Sequence, residues 1–162
     1  MKKILICYYT ETNYTKEVAE YIGKTLCDET HEVTIKEIKE ADHLEAYDSI
    51  IIGAPVHGMR WHQNAMTFLE ANKAILSDKQ LVYFALGSFA YQGRQFWQKK
   101  VYKSLEKPSK IIKPIETAVF GGMIGDMPKF ARKIFGVPDK LKQDQRNWTM
   151  IQAWTSILEK KL

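Results

Sequence analysis

Ile4–Tyr9, Tyr47–Pro55 and Leu81–Leu86 are nearly unbroken runs of apolar residues. A strand that is apolar at consecutive rather than alternate positions is covered on both faces, and sheets buried in this way are parallel, with helices packed on each side. Segments with helical spacing separate the runs, as with Val18, Ala19 and Ile22 after the first. Two weaker strands join them: His31–Ile38, which alternates and suits an edge, and Ile115–Phe120, which ends at Gly121 and Gly122. The same pattern predicts a loop over Val56–His62 and helices over about Asn64–Ile75, from Gly93 to about Leu105, and over Arg146–Lys161, with Pro108 and Pro114 bracketing a linker. Strands alternating with helices predict an α/β three-layer sandwich on a five-stranded parallel sheet, one domain over residues 1–162 with a basic insertion at about 123–144.

A chain of 162 residues is long enough for a substantial core. The apolar run of MKKILICYY stops at TETNYT, short of an export signal, and no segment reaches bilayer-spanning length, so the expected location is cytoplasmic. Cys7 and Cys27 have neither C-x-x-C nor metal-ligand spacing and read as reduced, packed thiols. A net charge of +5 favours anionic partners, but no nucleic-acid-binding module accompanies it. Lys99, Lys100 and Lys103 read as a solvated helix face, and Trp148 and Trp154 as packing residues.

The first strand runs into Thr10–Thr15, TETNYT, and then into the first helix. A loop between a strand's carboxyl end and a helix N-terminus presents unpaired N–H groups and the positive end of the helix dipole. Thr10, Thr12 and Thr15 add hydroxyls, Asn13 adds an amide, and the loop has no Lys or Arg. It therefore suits either a phosphate held by neutral dipoles or plain helix capping. Neither G-x-x-x-x-G-K-S/T nor G-x-G-x-x-G is present, which argues against a nucleoside triphosphate or a dinucleotide.

With T-E-T-N-Y-T after strand one, A-P-V-H-G-M after strand three and A-L-G-S-F after strand four, the chain resembles the flavodoxin family over nearly its whole length. The resemblance implies strand order 2-1-3-4-5 and FMN as cofactor, bound at the switch point between strands one and three. The family's phosphate loop reads T-x-T-G-N-T; here Asn13 stands at the glycine, and Asn enters left-handed backbone more readily than most residues. The implied FMN-binding residues are Thr10, Glu11, Thr12, Asn13, Tyr14 and Thr15 for the phosphate. Pro55, Val56, His57, Gly58 and Met59 follow along one edge of the ring, with Leu86, Gly87, Ser88, Phe89 and Tyr91 along the other. Trp61, Phe89 or Tyr91 would stack on the ring, and the peptide at Gly58 would turn to meet the flavin N5–H when the ring takes an electron.

Ala118–Gly122, the basic insertion and Asn147–Trp154 further resemble the menaquinone-dependent protoporphyrinogen dehydrogenases. That implies an FMN-dependent oxidoreductase passing electrons from a small-molecule reductant, protoporphyrinogen, to a quinone. The alternatives are a flavodoxin-type electron carrier, an FMN-dependent quinone reductase and a ligand-free interaction module. No catalytic residue or metal site is assigned: His57 and His62 read as loop or helix-start residues, since nothing in the sequence pairs either with a carboxylate. In Met127–Phe135 helical spacing puts Met127, Phe130, Ala131 and Ile134 opposite Lys129, Arg132 and Lys133. Such a helix either touches an anionic membrane peripherally or covers the sheet edge.

Overall fold

The computed structural model describes residues 1–140 and 142–162. The three apolar runs form the centre of one sheet: β1 (Lys2–Tyr8), β3 (Ser49–His57) and β5 (Gln80–Gly87). With β2 (His31–Glu37) and β6 (Glu116–Gly121) the parallel order is β2-β1-β3-β5-β6, the predicted 2-1-3-4-5. A sixth, two-residue strand, β4 (Arg60–Trp61), pairs antiparallel with the end of β3. Register brings Tyr8 opposite Gly53 and Pro55 opposite Leu86, so the ends of β1, β3 and β5 open onto one rim.

The two faces are sorted by strand alternation. Leu5, Cys7, Ile50, Ile52 and Tyr83 pack toward α2 (Gln63–Ala71) and α3 (Lys73–Leu76). Ile4, Ile6, Ile51, Val82 and Phe84 pack toward α1 (Tyr14–Leu26) and α7 (Trp148–Glu159). On α1, Val18, Ala19, Ile22 and Leu26 are fully buried. Its three large side chains stabilise the fold by roughly 1.5–3 kcal/mol each before entropy is counted. Trp154 packs edge-on against Phe120 as a packing residue, whereas Trp148 lies against Tyr21 with its side chain exposed.

Several local expectations change. The chain between β2 and β3 carries two single 3₁₀ turns, Ile38–Glu40 and Leu44–Ala46, so that crossover has no α-helix. Val56–His62 is a hairpin rather than an open loop, and the following helix breaks at Asn72. The fourth helix ends early as α4 (Gln95–Tyr102), passes through a 3₁₀ turn at Lys103–Leu105 and becomes α5 (Glu106–Ile111). Pro108 lies inside α5 rather than in a linker, in the first turn, where the missing N–H costs little.

Cys7 is buried in β1 as expected, but Cys27 is exposed at the C-cap of α1. Burial pushes the Cys7 thiol up to about 12. One thiol per chain is expected to react with Ellman's reagent in the native protein and two after denaturation; two in the native state would contradict the packing of β1.

Candidate functional site

Where β1 ends, the Tyr9 amide donates to the Gly53 carbonyl at 2.9 Å and ties the strand to β3. The chain then rises into the Thr10–Thr15 loop. Asn13 turns it with φ 66° and ψ −11°, the left-handed conformation that the glycine-to-Asn departure requires. Its side chain makes no capping hydrogen bond. The first intrahelical bond runs from the Glu17 amide to the Asn13 carbonyl, so the amides of Tyr14, Thr15 and Lys16 have no acceptor within α1. Plain capping by Asn13 is therefore not what this loop does. The N-terminus stays open toward a cleft of about 160 Å³.

That cleft gathers residues from four loops: Thr10, Glu11, Thr12, Tyr14 and Thr15 after β1, Pro55 and Val56 from β3, Leu86 and Ser88 around the end of β5, and Gly122 and Met123 after β6. The last two were not anticipated, although paired glycines at a strand end are the signal for close backbone approach. The Gly122 amide donates to the Gly87 carbonyl at 3.0 Å, and a Cβ on Gly122 would press on the Gly87 backbone at 3.3 Å. Ser88 spends its hydroxyl proton on the Met123 carbonyl at 2.6 Å, closing this wall.

The remaining expected residues lie around the cleft without lining it. His57, Gly58 and Met59 form the tip of the β3–β4 hairpin, in which Val56 pairs with Trp61 and His57 with Arg60. Gly58 and Met59 have φ of 56° and 61°, the left-handed pair of a type I′ turn. Gly87 is buried behind the cleft, Asn13 acts through its backbone, and Tyr91 is half-buried outside it. The stacking expectation fails for Trp61, which is 3% exposed and donates its indole N–H to the Phe84 carbonyl at 3.1 Å. The tight hairpin turns that side chain into the core. Phe89 stacks on Phe135, centroids 4.7 Å apart, so one of its faces is taken by the insertion.

Glu11 carries the pairing that sequence reasoning missed. Its carboxylate lies 3.8 Å from His57 Nδ1 and 3.6 Å from His62 Nε2. The histidines are more than forty residues away along the chain, and only the hairpin brings them back. His62 is the N-cap of α2, accepting from the Asn64 amide through Nδ1, and its ring stacks on Tyr9 at 4.2 Å. With Nδ1 an acceptor, the proton of the neutral ring sits on Nε2, facing Glu11. Burial holds the His62 imidazole below its ordinary range, against the pull of Glu11. The three ligating atoms lie within 4.8 Å of one another, but a protonated Nε2 is a donor rather than a metal ligand.

A family model described as "Flavodoxin domain" matches residues 5–147. The chain belongs to the flavodoxin domain family. Flavodoxin 1 from Bacillus cereus superposes with a TM-score of 0.62 at 16% identity, covering 99% of both chains. The Fusobacterium nucleatum flavodoxin bound to flavin mononucleotide gives 0.58 at 19%, covering 100% of this chain and 99% of that one. A WrbA-like flavodoxin from Agrobacterium tumefaciens gives 0.60 at 13%, covering 99% and 97%. At these identities the shared property is the flavodoxin fold, with its rim of loops at the switch point between β1 and β3 where the cleft lies.

Proposed function

We propose that this flavodoxin domain binds FMN at the Thr10–Thr15 cleft and is a redox protein of the flavodoxin type, an electron carrier or an FMN-dependent oxidoreductase. The observation that carries the reading is the uncapped N-terminus of α1, facing a cleft at the β1/β3 switch point. Amides of Tyr14–Lys16 and hydroxyls of Thr10, Thr12 and Thr15 suit a phosphate monoester, whose charge the helix dipole favours without a cationic side chain. The cleft takes the phosphate end, and the Pro55–Met59 and Leu86–Tyr91 segments flank the space beyond it. FMN supplies one- and two-electron chemistry when bound; the protein supplies position and electrostatics.

In the hairpin, a flip of the 58–59 peptide exchanges type I′ for type II′ geometry. Gly58 keeps positive φ in both, while Met59 moves to negative φ and sheds the left-handed strain it now carries. A Cβ on Gly58 would meet nothing within 4 Å. Gly58→Ala therefore costs only the left-handed backbone, roughly 1–2 kcal/mol. It is expected to shift the potential of the first one-electron step while leaving FMN retention intact. Unchanged potentiometric titrations would remove the peptide from the redox chemistry.

A second reading, electron transfer from protoporphyrinogen to menaquinone at a membrane surface, is favoured by the insertion. In α6 (Lys129–Phe135) Phe130 is 69% and Ile134 52% exposed, beside Lys129 and Lys133, so these two residues do not cover the sheet edge. Arg132 is not part of the basic face: it donates to the carbonyls of Met127, Pro138 and Asp139 and shapes the loop. Among the described residues no helix is long and apolar enough to cross a membrane. Sedimentation with phosphatidylglycerol vesicles is expected to fall when Phe130 and Ile134 become Ser or Lys129 and Lys133 become Gln. Unchanged sedimentation would leave the insertion a solvated face. Anaerobic mixing with protoporphyrinogen and a soluble naphthoquinone separates the two readings: flavin-dependent porphyrin fluorescence supports the dehydrogenase, and reversible flavin reduction without turnover supports the carrier.

A further inference from the structure

Behind the β3–β4 hairpin, on its far side from the phosphate cleft, lies a second cavity of about 540 Å³, within the size range of small-molecule sites. It shares no lining residue with the phosphate cleft, although His57 and Met59, from the Pro55–Met59 segment that flanks the flavin space, line it. Arg60 comes from β4, Lys103 and Ser104 from the 3₁₀ turn after α4, and Lys107 from the start of α5. Among the described residues no carboxylate lines it. Lys103 is exposed, as expected of a solvated face, and from the 3₁₀ turn after α4 it also borders this cavity.

These three cations are exposed and have no ion-pair partner among the described residues. The chain has four arginines. Arg146 is paired with Glu17 and Asp144, and Arg94 and Arg132 donate to backbone carbonyls. Among the described residues no ion pair or side-chain hydrogen bond engages Arg60, Lys103 or Lys107. Ser104 is 6% exposed, and its Oγ is buried without a hydrogen-bond partner, a loss that native interiors seldom accept unless something else satisfies the group. The rest of the wall is mixed: Met59, Met66, Trp61 and Pro108 are apolar, and His57, His62 and Gln63 are polar. Three exposed, unpaired cations and an orphaned hydroxyl beside the apolar part of the wall, Met59 and Met66, match an amphipathic anion better than inorganic phosphate, which would leave that part wet.

We propose that this cavity binds a small organic anion, a carboxylate carried on a flat apolar body, with the carboxylate toward Arg60, Lys103 and Lys107 and the body against Met59 and Met66. The site goes beyond the flavin reading and does not depend on it. It places the ligand against the same hairpin that borders the cofactor cleft, on the opposite side.

The test is titration of the ¹⁵N-labelled protein, flavin-loaded and flavin-free, with 2-naphthoate, with its neutral counterpart 2-naphthalenemethanol and with inorganic phosphate. The site predicts saturable shifts at the amides of Arg60–Gln63 and Lys103–Lys107, with the alcohol and phosphate each about tenfold weaker or more. Arg60→Gln with Lys107→Gln is expected to weaken naphthoate by about tenfold or more, since two charge-assisted contacts are lost. Ser104→Ala is expected to weaken it severalfold without lowering Tm, because the hydroxyl has no partner to lose. Equal binding of the alcohol, equal binding of phosphate, shifts centred on Thr10–Thr15, or full binding by the double variant would each overturn the proposal. Flavin absorbance, read in the same samples, reports separately on the cofactor.

Discussion

Arg146→Ala is expected to destabilise the protein by about 2–4 kcal/mol. The guanidinium is a node between the two helices that cover one face of the sheet. Its fork meets Asp144 through Nε at 3.0 Å and NH2 at 2.7 Å, and NH1 reaches Glu17 in the first turn of α1 at 2.6 Å. The same group lies over the Tyr14 ring at 4.7 Å and the Trp148 ring at 4.9 Å. Its side chain is only 6% exposed, so alanine leaves Asp144, 30% exposed, and Glu17, 50% exposed, without their partner and strips both rings of their cation. Those carboxylates keep some solvent contact, which places the loss below that of a fully buried pair. For a chain of this size the drop in Tm should be about 5–15 °C, read by circular dichroism. Arg146→Lys keeps the charge but neither fork nor stacking, and should recover less than half of the loss. A Tm within about a degree of wild type for the alanine variant would show that the brace contributes nothing measurable.

Thr12→Val combined with Thr15→Val is expected to weaken FMN binding by about a hundredfold or more, with little change in stability. Hydrogen bonds to a charged group are worth roughly 1.5–3 kcal/mol each, and two of them give that factor. Stability should hold because α1 has no side-chain cap to lose. Riboflavin, which lacks the phosphate, supplies the control: its affinity should be equal for wild type and variant. Equal FMN affinity would move the phosphate elsewhere. A matched loss of riboflavin would mean that the substitutions damage the loop rather than the anion site.

The parallel sheet was legible because its central strands are apolar on both faces, a pattern that few other structures tolerate. Asn13 was legible for a local reason, since one residue had to turn left-handed and few side chains can. What stayed hidden was non-local or marginal in energy. The β4 pairing rests on two residues and on a methionine held at positive φ, which no propensity would suggest. Trp61 looked free for a ligand because nothing near it in sequence announces that the hairpin turns it inward. Glu11 sits in the phosphate loop and its histidine partners in the hairpin, so their meeting is a consequence of strand order rather than of spacing.

The measurement that tests the central claim most directly is the visible absorption spectrum after incubation with FMN and removal of the excess by gel filtration. The open α1 terminus and its cleft predict retained flavin bands at about one flavin per chain, lost in the Thr12/Thr15 double variant. A colourless wild-type protein would contradict the account and leave the Thr10–Thr15 loop as structure without a cofactor.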